Sequence, residues 1–199
     1  MRKRLFAKFW GWFEPRTRRG FARYRAEMVA DLDGRVLEIG CGNGSNFQHY
    51  ASSTTVVATD YSEYMLKPAR AAAEAASATI EVQAANAMEL PFEDGNFDAV
   101  VSSLVLCSVP DQGRSLAELR RVLRAGGELR LFEHVRSQRT WVAVLQRVAT
   151  SLWQIPGDGC HLDRDTERAV RDAGFKVESS ERLALGLPHV QLRARTPRA

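Results

Sequence analysis

Residues 36–47, Val-Leu-Glu-Ile-Gly-Cys-Gly-Asn-Gly-Ser-Asn-Phe, decide the fold. The apolar run that ends at Ile39 is typical of a buried parallel strand. Glycines at positions 40, 42 and 44 allow a sharp turn and a close approach by a ligand, because glycine carries no Cβ and tolerates positive φ. We predict a helix over about 44–51 whose free N–H groups point into this turn. The stretch therefore predicts a nucleotide-binding turn after the first strand.

The spacing of the glycines separates two classes of nucleotide site. Dinucleotide folds use G-x-G-x-x-G, whereas this chain has Glu38 followed by Gly40, Gly42 and Gly44 at alternate positions. A carboxylate in the turn disfavours a pyrophosphate and favours a cationic or hydroxyl-rich ligand. The pattern resembles motif I of the class I S-adenosylmethionine (SAM) dependent methyltransferases, and it argues against a nicotinamide oxidoreductase.

Composition narrows the class further. The chain has 199 residues, 45% of them hydrophobic and 26% charged, which suits one domain with a full core. Residues 1–25 hold nine Lys or Arg and one acid, so their positive charge exceeds the net charge of +4 of the whole chain. Because this charge is confined to one terminal segment, it does not indicate nucleic-acid binding.

The three cysteines, Cys41, Cys107 and Cys160, are too few and too scattered in sequence to predict a disulfide framework or a zinc site. We therefore expect no metal and a cytoplasmic location. No apolar run reaches the roughly 18 residues that span a bilayer.

We divide the chain into a basic and aromatic helical segment, residues 1–34, and a catalytic domain, residues 35–199. On a helix, residues 1–13 would form an amphipathic surface with basic and aromatic side chains. Two interpretations stay open for this surface: a lid packed over the cofactor pocket, or a peripheral contact with an anionic membrane. A second helix is expected over about 17–31.

From residue 35 onward, strand and helix patterns alternate, which predicts an α/β fold with helices on both faces of a sheet. Together with the motif I resemblance, this predicts a Rossmann-like class I methyltransferase fold. Its seven-stranded sheet is mostly parallel and has an antiparallel last strand. The expected strands are 36–39, 55–59, 79–84, 97–103, 128–133, 175–180 and 190–195. The expected helices after residue 51 are 63–76, 112–123, 139–155 and 165–173.

In such sheets the ligand lies beyond the carboxyl ends of the strands. Asp60 ends the second strand, where its carboxylate can accept both ribose hydroxyls. Asn86 stands where the class commonly has an acid that contacts the adenine amino group, and its amide oxygen can still accept. Ser103 and Leu104 would border the methionyl portion of SAM.

The remaining candidates complete the cofactor site. Tyr61 and Met65 could cover the adenine, and Glu38 could order the turn or hold the amino acid end of SAM. The predicted cofactor-binding residues are Glu38, Gly40, Cys41, Gly42, Asn43, Asn46, Asp60, Tyr61, Met65, Asn86, Ala87, Met88, Ser103 and Leu104.

A closer resemblance appears in the second half of the chain. Residues 104–109 (Leu-Val-Leu-Cys-Ser-Val), 132–135 (Phe-Glu-His-Val), 158–162 (Asp-Gly-Cys-His-Leu) and 188–190 (Pro-His-Val) resemble the alkyl-thiol S-methyltransferases of animal endoplasmic reticulum and lipid droplets. The resemblance covers about residues 35–190. It implies methyl transfer from SAM to a small-molecule thiol, with S-adenosylhomocysteine as product. In place of that family's long hydrophobic N-terminal anchor, this sequence has the short basic and aromatic segment.

Acid–base chemistry agrees with a thiol acceptor. A thiol of pKa about 8.5 needs about 2 kcal/mol to ionise at pH 7, whereas a hydroxyl of pKa roughly 15 needs about 11 kcal/mol. We identify His134 and His161 as candidate bases and expect Trp141 and Trp153 to pack in the core. Two alternatives stay open: methylation of a lipid or quinone-type metabolite, and a SAM-binding module without catalysis.

Overall fold

The computed structural model describes residues 20–154 and 157–198. The strands are β1 (Arg35–Ile39), β2 (Thr55–Asp60), β3 (Thr79–Ala84), β4 (Phe97–Ser103), β5 (Leu123–His134), β6 (Lys176–Leu185) and β7 (Leu187–Arg195). The helices are α1 (residues 20–29), α2 (Glu63–Glu74), α3 (Gln112–Val122), α4 (Thr140–Trp153) and α5 (Thr166–Asp172). Residues 1–13, for which we predicted a lid or a membrane contact, lie outside the described part of the chain.

The strands form one sheet in the order β3-β2-β1-β4-β5-β7-β6. The first five are parallel, while β7 is antiparallel to both β5 and β6. The predicted seven-stranded, mostly parallel sheet with a reversed last strand is confirmed. From β1 the chain adds strands first toward one edge of the sheet, through β2 and β3, and then toward the other edge, beginning with β4. That switch point is where ligands bind in folds of this type.

The sheet has an apolar core on each face. Consecutive side chains of β1 point to opposite faces and so contribute to both cores. Leu37 and Ile39 belong to a core that also contains buried residues of α3 and α5. Val36 belongs to a second core built with residues of α1 and α2, among them Met28 and Leu66. Helices therefore cover both faces, as predicted, and α1 packs directly on the sheet.

The predicted helix over 44–51 is wrong, because the structure has only a short 3-10 turn at Phe47–His49. Glycines with positive φ continue as far as Gly44, which leaves few residues for a helix before β2. Tyr50, just after the 3-10 turn, is buried and donates its hydroxyl to Glu38 2.8 Å away. The chain is thus pulled back onto β1 where a helix would have continued outward.

Two other boundaries differ from expectation. β5 begins at Leu123, whereas the expected strand begins at 128, and its pairing with β4 is irregular between Phe97 and Ala99. β6 and β7 are longer than predicted and form a hairpin around Gly186, whose φ of +83° favours glycine.

Helix α4 carries an exposed apolar face, so the expectation that Trp141 packs in the core is wrong. Trp141 is 63% exposed and Trp153 is 37% exposed. The opposite face of α4 is anchored by Gln146, which donates to the backbone oxygens of Val135 and Leu162 at 3.0 and 2.7 Å. Among the described residues, no helix has the length and apolar character needed to cross a membrane.

Candidate active site

The glycine turn after β1 leaves open space at one position only. Gly40, Gly42 and Gly44 all have positive φ, of +56°, +58° and +78°. A Cβ at Gly40 would lie 2.3 Å from a methyl carbon of Val105, and one at Gly44 would lie 2.6 Å from the ring of Phe47. A Cβ at Gly42 would have no neighbour within 4 Å. Gly42 therefore lines the space that a ligand can enter.

Glu38 and Asn46 form a buried network next to this turn. Glu38 accepts hydrogen bonds from the Asn46 amide at 2.9 Å and the Tyr50 hydroxyl at 2.8 Å, one on each carboxylate oxygen. Asn46 in turn accepts from the Arg25 guanidinium at 3.2 Å. Burial raises the pKa of Glu38 to about 7 despite these partners. Of the two roles considered for Glu38, this geometry fits the ordering of the turn.

Asp60 connects the end of β2 to the same turn. One of its carboxylate oxygens accepts from the Gly42 N–H at 3.0 Å and the other from the Ser62 N–H at 2.8 Å. Asp60 thus lies at the strand end where the ribose hydroxyls of a bound nucleoside are expected. Cys41 is buried within the turn, and burial raises the pKa of its thiol well above the ordinary value. Asn43, at the turn's tip, accepts from the Ser45 hydroxyl at 2.6 Å.

The predicted adenine side lies at the ends of β2 and β3. The Asn86 side-chain oxygen accepts from the Met88 N–H at 3.0 Å, which closes a tight turn that contains Ala87. Met65 is buried in the first turn of α2. Tyr61 is 50% exposed, and its hydroxyl donates to the Asp158 carboxylate.

The end of β4 provides a buried hydroxyl without a partner. Among the described residues, no group hydrogen-bonds to the Ser103 Oγ. Leu104 follows with φ of +60°, held by a 2.8 Å bond from its N–H to the Phe132 oxygen. A buried polar atom without a partner is costly, so a ligand group at Ser103 would be favourable. Together with the space over Gly42 and the Asp60 carboxylate at the end of β2, this fits an adenosyl ligand that carries an amino acid.

Glu133 near the end of β5 organises the loop after β4, and the sequence analysis missed this role. Its carboxylate accepts from the Ser102 hydroxyl at 2.8 Å and from the N–H groups of Val105, Leu106 and Cys107 at 3.0, 3.0 and 3.2 Å. Burial raises its pKa. An acid inside the apolar run of β5 was the available signal, because a buried carboxylate needs several donors.

The structure brings together Cys107, His134 and Cys160, which follow one another in sequence at separations of 27 and 26 positions. The Cys160 sulfur lies 3.6 Å from the Cys107 sulfur and 3.4 Å from the Nδ1 of His134, and the Cys107 sulfur lies 3.9 Å from the same nitrogen. Hydrogen bonds with Cys107 and His134 lower the pKa of the Cys160 thiol. Cys107 and Cys160 are thus scattered in sequence but adjacent in the fold, which the sequence analysis did not anticipate.

The second candidate base, His161, lies beside the same loop. Its backbone N–H donates to the Cys107 backbone oxygen at 2.7 Å. Its ring Nε2 lies 3.1 Å from the side-chain nitrogen of Gln154. Burial lowers the pKa of His161, so the imidazole is neutral at pH 7. His189 packs on His134 with ring centroids 4.3 Å apart, and burial lowers its pKa to about 4.

Comparison with known proteins identifies the family. Residues 37–131 match the family model described as a methyltransferase domain. Over 180 residues the chain is 34% identical to thiol S-methyltransferase TMT1B from Homo sapiens, with 84% of this chain and 74% of that protein covered. The chain belongs to the SAM-dependent methyltransferases. This methyltransferase is also 31% identical over 157 residues to phosphatidylethanolamine N-methyltransferase from Cereibacter sphaeroides, with 78% of this chain and 76% of that protein covered.

A solved structure supports the fold of the methyltransferase. A SAM-dependent methyltransferase from Methanosarcina mazei superimposes with a TM-score of 0.70 at 22% identity, covering 84% of this chain and 94% of that one. The methyl donor is therefore SAM. The residues that the geometry offers to it are Gly42 and Asp60 at the turn and Ser103 at the end of β4.

The methyltransferase should lose affinity for S-adenosylhomocysteine when Asp60 is changed to Ala. A hydrogen bond to a charged group contributes about 1.5–3 kcal/mol, so we expect binding to weaken at least roughly tenfold. Isothermal titration calorimetry measures this change. Glu74→Gln, which removes an exposed acid at the end of α2, is the matched control and should bind as tightly as the unaltered chain. Equal affinity in Asp60→Ala would show that this carboxylate does not hold the cofactor.

The stability of the methyltransferase should respond to pH through Glu38. Its pKa is about 7 in the folded state and 4.5 ordinarily, so the folded state retains a proton between these values and loses stability as pH rises through them. Glu38→Gln cannot titrate. Relative to the unaltered chain it should gain on the order of 3 kcal/mol between pH 4.5 and 8. Urea denaturation at both pH values measures this difference, and parallel pH profiles of the two proteins would contradict it.

Proposed function

We propose that this methyltransferase transfers the methyl group of SAM to the sulfur of a small-molecule thiol. The observation that carries the proposal is the chemistry of the loop next to the glycine turn. Its Cys107 sulfur lies beside Cys160 and His134, while the carboxylate that contacts the loop, Glu133, already accepts four hydrogen bonds. The 34% identity to a thiol S-methyltransferase supports the same acceptor class.

The loop after β4 lies next to the cofactor turn, and this position favours methyl transfer from SAM to an acceptor bound at the loop. Val105 packs against Gly40 of the cofactor turn, and Cys107 follows two residues later. When bound, SAM supplies an electrophilic methyl carbon on a good leaving group. The protein then has to orient the acceptor in line, which can contribute roughly 7–11 kcal/mol, and to accept one proton. His161, whose backbone N–H donates to the Cys107 oxygen, is the candidate base for this proton.

A pair of acceptors that differ in one atom tests the proposal. With SAM present, 2-mercaptoethanol should yield its methyl thioether and S-adenosylhomocysteine, and ethylene glycol should yield neither above background. The physical reason is the ionisation cost, about 2 kcal/mol for the thiol and about 11 kcal/mol for the hydroxyl. Mass spectrometry of both products measures the reaction.

Other acceptors turn the same assay into a decision between functions. A phenol, a primary amine, a quinol and phosphatidylethanolamine vesicles are tested beside the thiol. Turnover of the lipid or quinol without any thiol turnover would contradict a thiol acceptor. S-adenosylhomocysteine binding without turnover of any acceptor would indicate a SAM-binding module without catalysis.

We also propose a peripheral contact with anionic lipid surfaces through α4. Its exposed apolar face consists of side chains 57–76% exposed on one side of the helix, Trp141, Val144, Leu145, Val148 and Leu152. Exposed apolar patches on a helix mark interaction surfaces. The sequence from 135 to 157 contains three arginines and no acid, so an anionic lipid surface complements it better than a neutral one. Residues 1–13 are also basic and aromatic, and this composition suits the same anionic lipid surface. The cytoplasmic location stays a prediction.

Vesicle co-sedimentation tests this contact. The methyltransferase should pellet with phosphatidylserine-containing vesicles and less with pure phosphatidylcholine, and the double substitution Trp141→Ser with Leu152→Ser should reduce pelleting. Tyr64→Ser is the matched control, because Tyr64 is 54% exposed on a different helix. Equal pelleting of the α4 variant and the unaltered chain would contradict a lipid contact by α4. Removal of residues 1–13 tests the terminal segment separately.

A further inference from the structure

The cluster of Cys107, His134 and Cys160 has the composition of a metal site. Its three ligand atoms, two thiol sulfurs and one imidazole nitrogen, all lie within 4.8 Å of one another. Both cysteines are buried and His134 is partly buried. The sulfurs are not joined in a disulfide. Two sulfurs and one imidazole nitrogen form a donor set that suits zinc.

The distances within the cluster match tetrahedral coordination. Zinc binds thiolate at about 2.3 Å and imidazole at about 2.0–2.1 Å, which places two such sulfurs about 3.8 Å apart and a sulfur and a nitrogen about 3.6 Å apart. The observed separations are 3.6 Å between the sulfurs and 3.4 and 3.9 Å from the sulfurs to the His134 Nδ1. One ion could contact all three atoms without a large rearrangement.

Backbone hydrogen bonds hold the two cysteines in place. The Cys107 N–H donates to Glu133 at 3.2 Å, and its carbonyl accepts from the His161 N–H at 2.7 Å. The Cys160 N–H donates to the Gly157 oxygen at 3.0 Å. Such outer contacts fix the ligands of metal sites before the metal binds.

Both loops that carry cysteines contact the cofactor site. The loop with Cys107 packs on Gly40 through Val105. The loop with Cys160 receives a hydrogen bond from Tyr61 through Asp158. Both loops that hold the cluster are therefore joined to elements that border the cofactor site.

We propose that Cys107, His134 and Cys160 bind one Zn²⁺ ion whose fourth coordination position takes the acceptor thiol. Among the described residues, three protein ligands converge on this point, and three ligands with one open position are typical of a catalytic zinc site, whereas structural zinc has four. The fold also removes the reason for expecting no metal, since that expectation rested on the spacing of the cysteines in sequence.

The role of the metal in catalysis rests on the proposed thiol acceptor. The acceptor thiol gives its proton to water as its sulfur coordinates zinc. An electron pair of that sulfur then forms the new bond to the methyl carbon of SAM. The bond from this carbon to the sulfonium sulfur breaks, and its electron pair stays on S-adenosylhomocysteine. The product thioether carries no charge and leaves because it is a weaker ligand than a thiolate.

Metal content and cobalt spectroscopy test the site directly, without any acceptor. The full chain, reduced and freed of metal, is titrated with Zn²⁺ and in parallel with Co²⁺. We expect one ion per chain, with thiolate-to-cobalt charge-transfer bands and the intense visible bands of a tetrahedral site. Cys160→Ser and His134→Ala should each weaken binding by more than the roughly 10–100-fold that outer-shell changes cost. Cys41→Ser is the matched control, and it should bind one ion and keep the cobalt spectrum.

Circular dichroism and S-adenosylhomocysteine binding verify that each variant is folded. A folded, reduced chain that binds no zinc or cobalt would overturn the proposal, as would equal binding by folded Cys160→Ser. Zinc bound without turnover of any thiol would refute the thiol acceptor and leave the metal site standing. Unchanged thiol turnover by the metal-free enzyme would refute the catalytic role of zinc and leave the thiol acceptor standing.

Discussion

The active site depends on the hydrogen bonds that the Glu133 carboxylate accepts. This carboxylate is fully buried on β5, and one hydroxyl and three consecutive backbone N–H groups donate to it. A charge removed from water is costly unless several donors compensate for it. The three backbone donors belong to the loop that begins at Leu104. The desolvation cost of one side chain is thereby offset by hydrogen bonds that fix the conformation of the segment after β4.

That loop in turn constrains the glycine turn. Val105 occupies the place where a Cβ of residue 40 would lie, so the turn can approach only because Gly40 has none. Asp60 secures the other side of the turn through the Gly42 N–H. The cofactor side is therefore built from backbone groups held by two acids on different strands. This arrangement is stiff, and it leaves Gly42 facing open space.

The strand ends could be predicted from sequence because they depend on local patterns. Apolar runs followed by glycine or a polar residue locate β1, β2 and β4, and parallel strands bring their carboxyl ends to one edge. The helix expected over 44–51 could not be excluded in this way. Its absence depends on Tyr50 reaching Glu38, which is a contact across 12 residues.

The cluster of two cysteines and one histidine could not be predicted because it has no local signal. Cys107, His134 and Cys160 come from three segments, and their approach depends on how the loops after β4 and α4 pack together. Known metal motifs are recognised by short spacings, which this chain does not have. Glu133 was hidden for a similar reason, since its donors are 26 to 31 residues away.

The end of β2 is physically connected to the loop that carries Cys160. Tyr61, just after β2, donates to Asp158, which lies two residues before Cys160. Asp158 has a positive φ of 46°, and Gly159 follows with φ of +91°. The backbone of this loop therefore departs from the conformations that most side chains prefer, and a hydrogen bond from the end of a sheet strand restrains it there.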